Sequence, residues 1–181
     1  MHTSSGIPGR GTGTEVTLVK TRDITISALL AASAIVLGAT GFGFIPVPTP
    51  AGRATIMHIP TILAGVLEGP VVGGIVGFIF GMYSFLTTAV PFLRDPLVAI
   101  VPRVLIGILS AYAFRATRKS SIAAVVGTLT NTGGVLGLAT LRGYLTPKVS
   151  LGIALTHGLP EVIVATIIVV LVVRGLRKYL S

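Results

Sequence analysis

The chain has 181 residues, 52% of them hydrophobic and only 10% charged, and its mean hydropathy is +0.94. That balance leaves too little polar surface for a soluble domain. The absence of cysteine excludes disulfides and thiolate metal sites, and the net charge of +9 is a matter of position, because basic residues at membrane borders set orientation.

Residues 1–22 open with MHTSSGIPGRGTGTEVTLVK, rich in Gly, Ser and Thr and without an apolar run. They read as a disordered cytoplasmic tail, since a signal peptide needs an apolar h-region. Residues 23–181 read as one membrane domain. A transmembrane helix needs about 20 mostly apolar residues, and six segments qualify: Ile24–Ile45, Ala54–Leu67, Pro70–Thr88, Leu97–Phe114, Ile122–Leu141 and Leu151–Val173. The second is short and polar at its start. The expected fold is therefore all-α and integral to the membrane, a compact bundle of six transmembrane helices. No length remains for a soluble catalytic domain.

The connections support that plan. IPVPTPAGR, between the first two spans, carries three prolines in nine residues and predicts a stiff extended segment. Glu68-Gly69-Pro70 is a tight turn. AVPFLRDP and RGYLTPKVS form the third and fifth loops, and RATRKSS forms the basic fourth. With both termini inside, nine cations (Arg10, Lys20, Arg22, Arg115, Arg118, Lys119, Arg174, Arg177, Lys178) lie on the cytoplasmic side. Four (Arg53, Arg94, Arg142, Lys148) lie outside. The basic excess is thus an orientation signal that puts both termini in the cytoplasm, and nucleic acid is not an expected partner.

Polar residues within spans are costly, a charge at the centre of a helix about 2.5–3.5 kcal/mol. Arg103, in IVPRVLIG of the fourth span, lies about two turns from the outer end beside the helix-bending Pro102. It is either a helix-pairing arginine or an anion anchor facing a cavity. His157 and Glu161 share one face of the sixth span, with Pro160 between them. They either bind a ligand or close a network with Arg103. Asn131 and Thr128 share a face in GTLTNTGG, which serves interhelical hydrogen bonding or amide recognition. His58, in TIMHIPTI, is a structural histidine or a ligand contact, and Arg53 and Arg94 on the outer loops are further substrate candidates. Three histidines without HExxH or a carboxylate cluster make no metal site. Nothing calls for a cofactor.

GPVVGGIVGFIFG places Gly69, Gly73, Gly77 and Gly81 four residues apart. No Lys-Ser/Thr follows in a phosphate-loop pattern. In an apolar span this spacing makes a smooth stripe for close helix packing. The first span has a shorter small-residue face, Ala28 and Ala32. No GxSxG occurs, and Asp95 is the only aspartate after Asp23, so an intramembrane hydrolase is not expected.

In this order, the Ala28/Ala32 face, PTPAGRATIMHIPTILAGVLEGPVVGGIVGFIFG, DPLVAIVPRVLIG, GTLTNTGGVLG and HGLPEVIVATIIV resemble the substrate-binding S components of energy-coupling factor (ECF) vitamin transporters. The likeness covers about residues 24–178 and is nearest the pantothenate-type branch. Glu68 departs from it, where an apolar or small residue is expected. The resemblance implies a six-helix protein of the prokaryotic cell membrane that binds a vitamin or precursor at the outer face. It also implies docking through Ala28 and Ala32 on a transmembrane scaffold subunit, with two cytoplasmic ATPases driving uptake. With no Trp, and with Arg53 and Arg103 suited to a carboxylate, pantothenate fits best. Folate and hydroxymethylpyrimidine stay open, with Phe80, Tyr83, Phe85 and Phe92 available for stacking. A self-sufficient transporter or channel is the remaining alternative.

Overall fold

The computed structural model describes residues 21–46 and 53–180. The amino-terminal tail expected over 1–22 falls almost wholly outside the described residues, as does most of the proline-rich segment of the first loop. The described chain runs α1 (Thr21–Thr40), β1 (Phe44–Pro46), β2 (Arg53–Thr55), α2 (Ile59–Glu68), α3 (Pro70–Thr87), a 3-10 turn (Pro91–Arg94), α4 (Pro96–Thr117), α5 (Ser120–Leu141), α6 (Pro147–Ile153), a π turn (Ala154–Gly158) and α7 (Leu159–Leu180). Helix α6, the π turn and α7 form the sixth span. The molecule is the expected all-α membrane bundle of six helical spans. α3, α4, α5 and the sixth span are long and apolar enough to cross a membrane alone, while α1 and α2 are shorter in their apolar length.

Burial inverts the pattern of a soluble protein. Leu29, Val36, Val71, Phe78, Leu129, Ile163 and Leu171 are exposed on the perimeter, whereas His58, Thr61, Arg103, Ser110, Thr128 and Glu161 are buried. In lipid, an exposed aliphatic surface costs nothing and polar groups must find partners inside.

The second span departs from expectation. Instead of a helix over Ala54–Leu67, the outer part is strand β2, paired antiparallel with β1 in the register Phe44↔Thr55, Ile45↔Ala54 and Pro46↔Arg53. Helix α2 then runs only ten residues, about 15 Å, half of a ~30 Å hydrocarbon core. Pro60 in its first turn fits a helix start. Its residues Ile59 to Val66 are all buried, so α2 is enclosed by its neighbours. Non-helical backbone at this depth is tolerated where it is buried in protein or lines a cavity.

Glycines set how closely α2, α3 and α4 approach. A Cβ on Gly73 would lie 2.8 Å from Gly65 Cα and 2.9 Å from the Gly107 carbonyl, and one on Gly107 would run into the Gly73 backbone. Further along, a Cβ on Gly77 would strike the Arg103 carbonyl, and one on Gly81 would lie 2.9 Å from Ile100 Cα. Gly69 differs from the other three. Its φ of 101° ends α2 and starts α3, so it serves the turn.

Candidate ligand-binding site

The ends of α1, α3 and α5 and the starts of α4 and the sixth span enclose a cavity of about 590 Å3 at the end of the bundle opposite Thr21 and Leu180. That size suits a small ligand. Aromatic and aliphatic groups (Phe80, Tyr83, Phe92, Val135) line it, with Arg103, Asn131, Thr132, His157 and Glu161 among the polar groups.

Arg103 is placed by its neighbour in sequence. Pro102 has no N–H, so the Val98 carbonyl loses its helical donor. A side chain on a helix leans back toward the amino-terminal end, and Arg103 Nη1 donates to that Val98 oxygen at 3.0 Å. The guanidinium lies 5.7 Å from the Phe80 ring centroid, within cation–π reach. Its Nε is buried without a partner. The glycine stripe contributes here too, because Gly77 and Gly81 let α3 pack directly against the backbone of this segment.

Glu161, in the first turn of α7, is buried, and each of its carboxylate oxygens accepts one hydrogen bond. Its Oε1 accepts from the Thr55 amide at 3.1 Å and its Oε2 from the Thr132 hydroxyl at 2.9 Å. One carboxylate thus ties the first-loop ribbon to α5 and α7. Each of its oxygens keeps a further lone pair for a donor. No ion pair joins Glu161 to Arg103, and the two present opposite charges to one cavity. Just ahead of Glu161, Pro160 cannot donate to the Thr156 carbonyl. The preceding turn widens into the π form that carries His157 to the cavity wall; such turns recur at functional sites. The Asn131 amide oxygen is buried and unbonded.

Of the sequence candidates, Arg103, Asn131, His157 and Glu161 therefore meet at one cavity. His58 lies outside it, fully buried, with Nε2 3.0 Å from Thr128 Oγ1. Arg94 is exposed on the 3-10 turn and does not line the cavity. The Arg53 side chain is outside the described residues. Phe80, Tyr83 and Phe92 line the cavity and Phe85 does not. Thr55 and Thr132 were not singled out as site residues by the sequence. The first contributes a backbone amide, which no side-chain pattern reveals, and the second is recognisable only by its pairing with Glu161.

The outer loops are joined by a second polar cluster. Asp95 caps α4 through the Leu97 amide at 3.0 Å, and its other oxygen accepts from Arg142 Nε at 2.8 Å and the Tyr144 hydroxyl at 3.2 Å. Burial pushes the Asp95 carboxyl up, but Arg142, the Leu97 amide and Tyr144 more than offset that and hold it below the usual carboxylate range.

Helix α1 presents small residues on two sides. Ser27, Ala31 and Ala34 turn inward, and Ala28 and Ala32 are exposed. A family model described as "ECF transporter, substrate-specific component" matches residues 22–173. The pantothenic acid transporter PanT of Lactococcus lactis subsp. cremoris (strain MG1363) is 30% identical over 188 residues, covering 88% of this chain and 95% of that protein. The chain belongs to the family of ECF transporter substrate-specific components.

Proposed function

We propose that this protein captures pantothenate at the outer face of the membrane and delivers it inward with a scaffold subunit and two ATPase subunits. The observation that carries the ligand class is the buried Arg103 guanidinium, tethered at Val98 with its Nε unpaired, in a side chain that lines the cavity. Such a group is costly unless an anion completes it, and its planar fork suits a carboxylate. Glu161 and Asn131 offer acceptors to hydroxyl and amide donors elsewhere in the same cavity. The inventory matches a ligand with one carboxylate, hydroxyls and an amide. A second carboxylate, as in folate, would meet Glu161, and a neutral pyrimidine would leave Arg103 uncompensated. The relative named for pantothenic acid supports the same reading.

The orientation rests on the basic residues, seven among the described residues on the side of the termini (Arg22, Arg115, Arg118, Lys119, Arg174, Arg177 and Lys178) against four on the cavity side. The exposed Ala28 and Ala32 suit docking against another membrane helix, since small residues let backbones approach. The chain itself is a binding component and carries no catalytic step.

Calorimetric titration of the purified protein with pantothenate, folate and hydroxymethylpyrimidine tests this. Pantothenate binds, and Arg103→Ala weakens it about 100-fold, in the range for removing one partner of a buried charge pair. Equal affinity in the variant overturns the anion site. Accumulation of substrate in vesicles containing this chain alone overturns the role as an S component.

A further inference from the structure

A second groove, of about 480 Å3, lies between α3 and α4, nearer the end of the bundle that carries both termini. Its walls are apolar: Val71, Ile75 and Phe78 from α3, and Ile108 and Tyr112 from α4, with Gly74 between them. Val71, Phe78 and Tyr112 are about half exposed, so the groove opens onto the surrounding lipid.

Gly74 stands apart from the packing glycines. A Cβ there would lie 3.5 Å from Ile108, an ordinary contact, whereas at Gly73 and Gly77 it would collide with backbone. A glycine is a costly choice inside a helix, and at this position close packing of α3 on α4 does not require it. Its effect is to leave the groove open. From Pro70 to Phe78 the groove extends about 12 Å along the axis, close to the depth of one leaflet of a ~30 Å hydrocarbon core.

Charge lies at its membrane-border end. The Arg115 guanidinium sits over the Gly69-Pro70 turn, with Nη2 2.9 Å from where a Gly69 Cβ would be. Arg118 and Lys119 follow, both exposed. Among the described residues the Arg115 side chain makes no hydrogen bond or ion pair, and Glu68 of the same turn has an interaction of its own. An apolar slot about one leaflet deep, with Tyr112 in its wall, Arg115 over its Gly69-Pro70 end and Arg118 and Lys119 following at the end of α4, has the complementarity of a single amphiphilic anion.

We infer that this groove is a binding site for one anionic phospholipid, with an acyl chain along Gly74 and the phosphate on Arg115, Arg118 and Lys119. The site is independent of the vitamin cavity. Native mass spectrometry of the full chain, released from nanodiscs of equal parts phosphatidylglycerol and phosphatidylcholine, reads it. The wild type retains one phosphatidylglycerol in preference to phosphatidylcholine. Arg115→Gln with Arg118→Gln loses that preference, about fivefold per charge removed. Gly74→Leu fills the groove and abolishes retention of both lipids while leaving vitamin binding unchanged. Val71→Trp fills the same groove from an exposed position and gives the same result should Gly74→Leu fold poorly. Equal retention of the two lipids by the wild type overturns the site. So does undiminished retention in both filling variants, including the case where they instead block assembly with the transport partners, which would make the occupant a protein.

Discussion

Arg103 Nη1 donates to the carbonyl of Val98, five residues earlier on the same helix, at 3.0 Å. That carbonyl has no amide partner because position 102 is proline. The side chain therefore replaces a missing main-chain bond and is held toward the cavity by it. Replacing Pro102 with Ala restores the amide, which competes for Val98. The expected outcome is a bundle that still folds but binds pantothenate about fivefold more weakly, the value of one hydrogen bond near 1 kcal/mol. Calorimetry of Pro102→Ala beside Arg103→Lys checks it; unchanged binding in Pro102→Ala removes the tether from the account.

Glu161 joins three elements through two hydrogen bonds, to the Thr55 amide and the Thr132 hydroxyl. Glu161→Ala frees the Thr55 amide, so hydrogen exchange at residues 53–57 accelerates while exchange in α4 does not. Glu161→Gln keeps an acceptor for Thr55 and removes the negative charge. It is expected to admit dicarboxylate ligands that the native protein rejects, measured by titration with folate.

Asp95 and Arg142, 47 positions apart in the chain, connect the third and fifth loops at 2.8 Å. The folded-state carboxyl pKa is depressed below its ordinary value of 3.8. Its stabilising contribution is therefore fully present above that value and disappears as pH falls through the lower, folded value. Thermal midpoints recorded from pH 7 to below pH 4 decline at the acid end, and Asp95→Asn flattens part of that decline. Arg142 is half exposed but Asp95 is buried, so added salt weakens the tie only modestly.

The glycines separate into two groups. Gly77→Ala drives a methyl into the Arg103 carbonyl and is expected to cost about 1–3 kcal/mol as α3 and α4 move apart, with weaker ligand binding because Arg103 moves too. Gly137, in α5, has nothing within 4 Å of a built Cβ. There alanine is expected to be neutral or to stabilise by about 0.5–1 kcal/mol. Denaturation in detergent compares the two directly.

Ala28 and Ala32 are exposed on α1. Ala32→Leu is expected to abolish ATP-dependent uptake by the assembled transporter and leave calorimetric binding by the isolated chain intact. Loss of binding would instead make that face part of the internal packing.

The sequence by itself determined the membrane class, the number of spans, the close-packing role of Gly73, Gly77 and Gly81, and a wider set of costly polar residues that includes Arg103, Asn131, His157 and Glu161. Each leaves a local trace: an apolar run of membrane length, small residues at helical spacing, or a polar group where lipid makes it expensive. Tertiary structure alone decided which polar residues share a cavity. His58 and Arg103 look alike as isolated polar residues, yet one bonds to Thr128 in the core and the other lines the cavity. The same holds for the break in the second span, where a run read as continuous helix is a strand followed by a ten-residue helix. Hydropathy registers an apolar environment without distinguishing lipid from the enclosed interior of a bundle. The Thr55 amide meets Glu161 across 106 positions, and such contacts depend on how the helices pack, which no local pattern encodes.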